Sequence, residues 1–187
     1  MIWNESKGIW VFAEQQNGIL DPTVFELLAK AQELTNSGED KSGVTAVLLG
    51  HDLSDLSAQL VQFGADCVLA VDDPALDQYE NWKYRKAITE LAMKYHPSIF
   101  LFGATYIGRE LAPMVMWDLQ TGLTADAIDL LFDEDGTFVQ TTPAYGGKIA
   151  AHIAIPVHRP QMVTDIPAYL RLYLRGRMHR EKSSKRM

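Results

Sequence analysis

The sequence predicts an α/β fold in which a parallel sheet is covered by helices on both faces. Short runs that are apolar at nearly every position alternate with stretches whose apolar residues have helical spacing. Strands buried on both faces have this composition, whereas an antiparallel sheet would show polar alternation. The 187 residues are enough for one compact domain, and 47% hydrophobic with 22% charged residues is typical of globular proteins.

The first predicted strand and helix lie at the start of the chain. Residues 8–14 form a nearly continuous apolar run, and turn residues follow it. Asp21 is predicted to cap the next helix, because its side chain accepts hydrogen bonds from backbone N–H groups, and Pro22 suits the first helical position. Gly38 is the predicted end of this helix.

The same strand-and-helix unit then repeats. The further predicted elements are a strand over 44–49, a helix over 54–63, a strand over 67–71, a helix over 82–95 and a strand over 98–102. After Thr124 the pattern changes to the short runs 127–132, 137–142 and 149–155, separated by glycine-containing turns. These runs predict β-hairpins appended to the parallel core.

The segment 102–113 is the most informative part of the sequence for a binding site. It joins the fourth strand to the next helix at the carboxyl edge of the sheet, where open α/β sheets bind ligands. Because Pro113 is tolerated only near a helix start, the regular helix is expected over about 109–112 and a loop over 103–108.

An anion-binding role for this loop is one of two interpretations. Backbone N–H groups, the Thr105 hydroxyl and the Arg109 guanidinium would suit a phosphate. The alternative is that the glycines only permit tight packing and that Arg109 pairs with Glu110 or another surface acid. The predicted cofactor-binding residues are Gly103, Ala104, Thr105, Gly108 and Arg109.

The charge distribution limits the classes of partner. The net charge of −7 divides into +6 on the segment 168–187, which holds seven Lys and Arg and one Glu, and −13 on the preceding residues. An acidic body argues against nucleic-acid binding. No stretch approaches the ~20 apolar residues of a membrane span, so a cytoplasmic protein without an integral membrane segment is expected.

Metal and redox sites are not predicted. The five histidines lack ligand spacing, and the single Cys67 is expected to be a small buried residue. Carboxylates at 72–73 and 133–135 sit beside turns and are expected to be solvated. The aromatic residues around the helix 82–95 are expected to pack rather than to stack on bases.

Four motifs in order resemble electron transfer flavoprotein alpha subunits. They lie at residues 103–113, 121–126, 143–148 and 158–162, and the resemblance covers about residues 8–165. Two positions depart from the family pattern. Thr142 stands where the family usually has arginine, and Ile166 replaces another charged residue.

The resemblance implies a Rossmann-like domain of the adenine nucleotide alpha hydrolase type over 1–167, followed by a basic tail over 168–187. It implies pairing with a beta subunit in a relay of electrons from flavin-dependent dehydrogenases, without catalysis by this chain. FAD is expected in the assembled complex and not on this chain alone, with AMP or another adenine nucleotide as a candidate ligand of the 103–109 loop. The alternative is a stand-alone adenine-nucleotide-binding protein resembling universal stress proteins.

Overall fold

The computed structural model describes residue 3 and residues 5–166. The strands are β1 (Ile9–Phe12), β2 (Gln15–Gln16), β3 (Ile19–Leu20), β4 (Val44–Gly50), β5 (Cys67–Asp72), β6 (Ile99–Gly103), β7 (Leu123–Ala127), β8 (Asp129–Phe132), β9 (Phe138–Ala144), β10 (Ile149–Ile153) and β11 (Gln161–Asp165). The helices are α1 (Pro22–Ser37), α2 (Ser54–Gln62), α3 (Asn81–Tyr95) and α4 (Tyr106–Leu119).

A six-stranded sheet forms the centre of the fold, with strand order β5-β4-β1-β6-β11-β7. All five neighbouring pairs are parallel, so the carboxyl ends of the strands meet at one edge. The predicted parallel core is therefore confirmed. A second sheet, β10-β9-β8, is antiparallel and contains the predicted hairpins.

Alternate residues of the central strands enter two separate cores. Ile9 and Val11 pack with α1, α2 and the antiparallel sheet, while Trp10 and Phe12 pack with α3 and α4. Both faces of β1 are buried, which explains why the strand is apolar at every position.

The predicted ends of α1 are confirmed. The Asp21 side chain accepts a hydrogen bond from the Thr23 N–H at 2.8 Å, and Pro22 occupies the first helical position, where no N–H is needed. Gly38 is the C-terminal cap, and its N–H donates to the Leu34 carbonyl.

The start predicted for α4 is wrong. The helix begins at Tyr106, three residues before Arg109, because the Thr105 hydroxyl caps it by accepting from the Gly108 N–H at 2.9 Å. Pro113 lies inside the helix on its exposed face, where water can hydrogen-bond to the carbonyl that has lost its helical donor.

The sequence pattern also missed two strands of the central sheet. β7 and β11 were not predicted as parallel strands, and the run 127–132 is split between β7 and β8. β11 is fully buried although it contains Gln161, Thr164 and Asp165, so apolar composition does not reveal it.

Cys67 does not have the predicted buried environment. It begins β5, the edge strand of the central sheet, and its side chain is exposed. None of the helices in the described part of the chain has the length and hydropathy needed to span a lipid bilayer. The segment 168–187 lies outside the described residues.

Candidate functional site

A cleft of about 530 Å³ opens at the carboxyl edge of the central sheet. It lies where β1 and β6 end and where α1 and α4 begin, so the N-termini of both helices face it. Its lining residues include Glu14, Asp21, Ala104, Thr105, Tyr106 and Arg109. The cleft is therefore at the position where α/β sheets bind ligands.

The five predicted binding residues come together around the start of α4. Gly103 ends β6, Thr105 caps the helix, and Gly108 and Arg109 lie in its first turn. Their placement matches the predicted strand-to-helix connection, but the long loop is absent because the helix starts early. Whether they bind a cofactor stays a prediction.

Both glycines have a packing role in this connection. A Cβ atom on Gly108 would lie 1.9 Å from the Gly103 carbonyl oxygen, which no side-chain movement could relieve. A Cβ atom on Gly103 would lie 2.8 Å from the Thr23 hydroxyl oxygen. The two glycines thus allow α4 to start directly against the end of β6 and beside α1.

Thr105 connects the helix start to a buried carboxylate. Its hydroxyl donates to Glu14 Oε2 at 2.5 Å while accepting from the Gly108 N–H. Glu14 is only 5% exposed, and this burial raises its pKa despite the hydrogen bond from Thr105, which lowers it. The hydroxyl that was predicted to contact a phosphate therefore contacts Glu14.

Arg109 has an acidic partner within the protein. Its Nε donates to Asp126 Oδ1 at 3.0 Å, and the side chains of both residues are about half exposed. Glu110 instead accepts hydrogen bonds from the Tyr79 hydroxyl at 2.8 Å and the Asn81 amide at 3.0 Å. In this structure Arg109 therefore pairs with a surface acid, as in the alternative interpretation of the sequence, and that acid is Asp126 rather than Glu110.

Hydrogen bonds link the first, second and fourth motif segments, and another bond involves the residue next to the third segment. The Arg109–Asp126 pair joins the first segment to the second, and the Thr121 hydroxyl joins the second to the fourth by donating to the Pro160 carbonyl at 2.7 Å. Thr142, immediately before the third segment, donates from its hydroxyl to the Ala125 carbonyl at 3.0 Å. The motifs therefore form one connected part of the fold.

The two departures from the family pattern occupy defined positions. Thr142 makes the hydrogen bond to Ala125 just described. Ile166 is 4% exposed and packs with Ala104 and Ile128. Both side chains are uncharged, so this chain lacks the charges that the family pattern has at positions 142 and 166.

The other acidic candidates have structural contacts. Asp72 accepts from the Asp52 and Leu53 N–H groups at 3.0 and 2.9 Å, and these bonds lower its pKa. Asp73 accepts from the Ala75 N–H at the start of a short 3-10 helix. Across residues 5–166 no group of three or more His, Cys, Asp or Glu is arranged to hold a metal ion.

The parallel sheet and the cleft at its carboxyl edge define a Rossmann-like α/β domain. The chain belongs to the electron transfer flavoprotein domain family, whose model matches residues 9–172. This assignment confirms the resemblance found in the sequence.

Individual relatives are similar along most of the chain. The electron transfer flavoprotein subunit alpha of Thermoanaerobacterium thermosaccharolyticum is 48% identical over 174 residues, which are 92% of this chain and 52% of that protein. The subunit alpha of Clostridium acetobutylicum is 44% identical over 86% of this chain and 48% of its own length. Acryloyl-CoA reductase electron transfer subunit beta of Anaerotignum propionicum is 35% identical over 90% of this chain and 52% of its own length. The chain therefore spans about half the length of the curated relatives it matches.

Sequence reasoning missed Glu14 as a residue of the cleft. It was assigned to the end of the first apolar run, without a role. A signal was present, because a charged residue directly after a buried strand lies at the carboxyl edge of a parallel sheet. The short β2–β3 hairpin then returns the chain to this point, where the Asp21 N–H donates to the Glu14 carbonyl at 2.9 Å.

Proposed function

We propose that the chain is the α/β domain of an electron transfer flavoprotein alpha subunit and that it acts in electron transport without catalysing a reaction. The observation that carries this proposal is the similarity to a subunit alpha along 92% of the chain. The hydrogen bonds that join the first, second and fourth motif segments support it, because they show that these segments lie together in the folded chain.

In this role the chain pairs with a beta-type subunit and takes part in a relay from a flavin-dependent dehydrogenase. FAD belongs to the assembled complex. The alternative, a stand-alone adenine-nucleotide-binding protein, is less well supported, because Thr105 and Arg109 already contact Glu14 and Asp126. Binding of an adenine nucleotide would have to compete with these contacts.

The turn between β9 and β10 is the proposed contact surface for the beta-type subunit. Tyr145 is 80% exposed and Ile149 is 54% exposed, although both are large apolar residues. Apolar and aromatic residues exposed together are typical of protein interfaces. The turn lies within the third motif segment, 143–148, which further supports a role in the family's assembly.

Co-expression with a beta-type subunit tests the proposal. The expected result is a stable heterodimer in size-exclusion chromatography that takes up flavin when FAD is added. Absence of both association and flavin uptake would contradict the proposal.

Ile149→Asp tests the contact surface separately. The charged side chain is expected to weaken association at least about tenfold, because a carboxylate is costly to bury in an interface. Val61→Asp is the matched control, since Val61 is 56% exposed but lies on α2. Equal effects of the two substitutions would show that the turn is not the contact surface.

A further inference from the structure

Glu14 is a buried carboxylate, and no ion pair joins it to a Lys, Arg or His within residues 5–166. Thr105 donates to its Oε2, and no hydrogen bond within the described residues reaches its other carboxylate oxygen. Burial raises the pKa of Glu14, and the neighbouring Asp21 carboxylate raises it further, while Thr105 lowers it. Since removing a carboxylate from water is costly without a compensating charge, the environment of Glu14 favours a positively charged group beside it.

Asp21 provides a second carboxylate in the cleft. Its Oδ1 accepts from the Thr23 N–H at 2.8 Å and from the Thr23 hydroxyl at 2.6 Å. Among the residues that the structure describes, no Lys, Arg or His nitrogen lies within 4.0 Å of the carboxylate of Glu14 or Asp21. Arg109 lines the cleft but forms its ion pair with Asp126. The cleft therefore holds two carboxylates that have no cationic side chain within 4.0 Å in the described residues, and one arginine whose charge is already paired with Asp126.

The walls of the cleft suit a ligand that combines a cationic head with an apolar stem. Pro22, Ala104 and Ile107 contribute apolar surface. Tyr106, at the first position of α4, is another lining residue and is 97% exposed, so its aromatic ring is free to contact a ligand at the mouth of the cleft. An aromatic face attracts cations, and a volume of about 530 Å³ is within the range of small-ligand sites.

We propose that this cleft binds an ammonium or guanidinium group carried on an apolar stem, with Glu14 as the buried acceptor and Asp21 as the second carboxylate. A phosphate is disfavoured because the Thr105 hydroxyl donates to Glu14, whose negative charge lies at the start of α4. The proposal rests on the cleft alone, so it can fail or succeed independently of the electron-transfer role.

Backbone amide NMR of the full chain tests the proposal with small probes. N-acetyl-arginine amide represents a protein side chain, spermidine represents a free polyamine, and N-acetyl-citrulline amide is the uncharged control. Both cations are expected to change the amide chemical shifts of Glu14, Thr105 and Gly108 in a saturable way. N-acetyl-citrulline amide is expected to leave these chemical shifts unchanged. The cation that binds with higher affinity shows whether the cationic group comes from a protein side chain or from a free polyamine.

Glu14→Gln keeps the shape of the side chain and removes its charge. It is expected to weaken cation binding by about tenfold or more, as for a lost charged hydrogen bond. Glu14→Asp keeps the charge and is expected to retain part of the affinity. Equal affinity in wild type and Glu14→Gln, no saturable shift with either cation, or tighter binding of ATP or inorganic phosphate than of the cations would each overturn the proposal.

Discussion

Glu14 is expected to make protein stability fall as the pH rises through its titration range. Its pKa in the folded protein is raised above 4.5, so the native state retains this proton at pH values where the unfolded chain has lost it. The stability contribution of this group is therefore lost between pH 4.5 and the folded-state pKa. Glu14→Gln removes the ionisation and should be more stable than wild type at neutral pH.

Chemical denaturation of both proteins at neutral pH and near pH 4.5 measures this difference. The advantage of Glu14→Gln should shrink toward the lower pH, where wild-type Glu14 is protonated in the folded state. Asp21→Asn is a useful comparison because it changes a nearby charge that is more exposed. An advantage independent of pH would contradict the argument.

Gly108→Ala is expected to destabilise the protein substantially. The added Cβ would lie 1.9 Å from the Gly103 carbonyl oxygen, so the backbone itself would have to move. Overpacking of this kind costs about 1–3 kcal/mol or more. Gly136→Ala is the control: its Cβ would meet nothing within 4 Å, and only the positive φ of 75° adds strain. Urea denaturation should show the larger loss for Gly108→Ala.

Among the helices, α4 contains the clearest local conflict between sequence and structure. Pro113 lies inside it and cannot donate to the Arg109 carbonyl. Pro113→Ala restores that N–H on an exposed face and should increase stability by about 1–3 kcal/mol. Pro22→Ala is the matched control, because Pro22 occupies the first position of α1, where no helical donor is lost. Similar gains from both substitutions in urea denaturation would contradict this explanation.

For the whole molecule, we expect the purified chain to carry no stoichiometric FAD in the absence of a partner. The cleft of about 530 Å³ is open, while a flavin dinucleotide needs a pocket that covers most of its surface. Visible absorbance and an assay of released flavin measure the content. A flavin content near one per chain without any partner would contradict this expectation.

The sequence predicted those parts of the fold that depend on local pattern. β1, β4, β6 and α1 were recognisable because burial on both faces or on one stripe leaves a clear apolar signature, and Asp21 marked a cap. β11 was not recognisable, since its polar residues are buried by tertiary contacts that no local pattern encodes. α4 was misplaced because the Thr105 cap outweighed the usual preference of proline for a helix start.

The candidate site was also predicted only in part, because some of its contacts are tertiary and leave no local sequence pattern. Its position at the carboxyl edge followed from the strand-to-helix pattern. Of the predicted residues, Ala104, Thr105 and Arg109 line the cleft, whereas Gly103 and Gly108 lie behind it at the junction of β6 and α4. The contacts that set its charge, Glu14 with Thr105 and Arg109 with Asp126, join residues far apart in the sequence. Spacing within one segment could not reveal them.

The position of β11 has a consequence for how the nascent chain folds on the ribosome. β11 lies between β6 and β7 although it follows both in the chain, and in the described residues the only ladder of β7 within the central sheet is the one with β11. β7 therefore leaves the exit tunnel before its neighbour exists, and the flank of β6 stays uncovered until residue 165 has emerged. The central sheet is complete only after β11 has emerged and inserted between β6 and β7, so ribosome-bound chains ending before Gln161 present an open strand edge to chaperones.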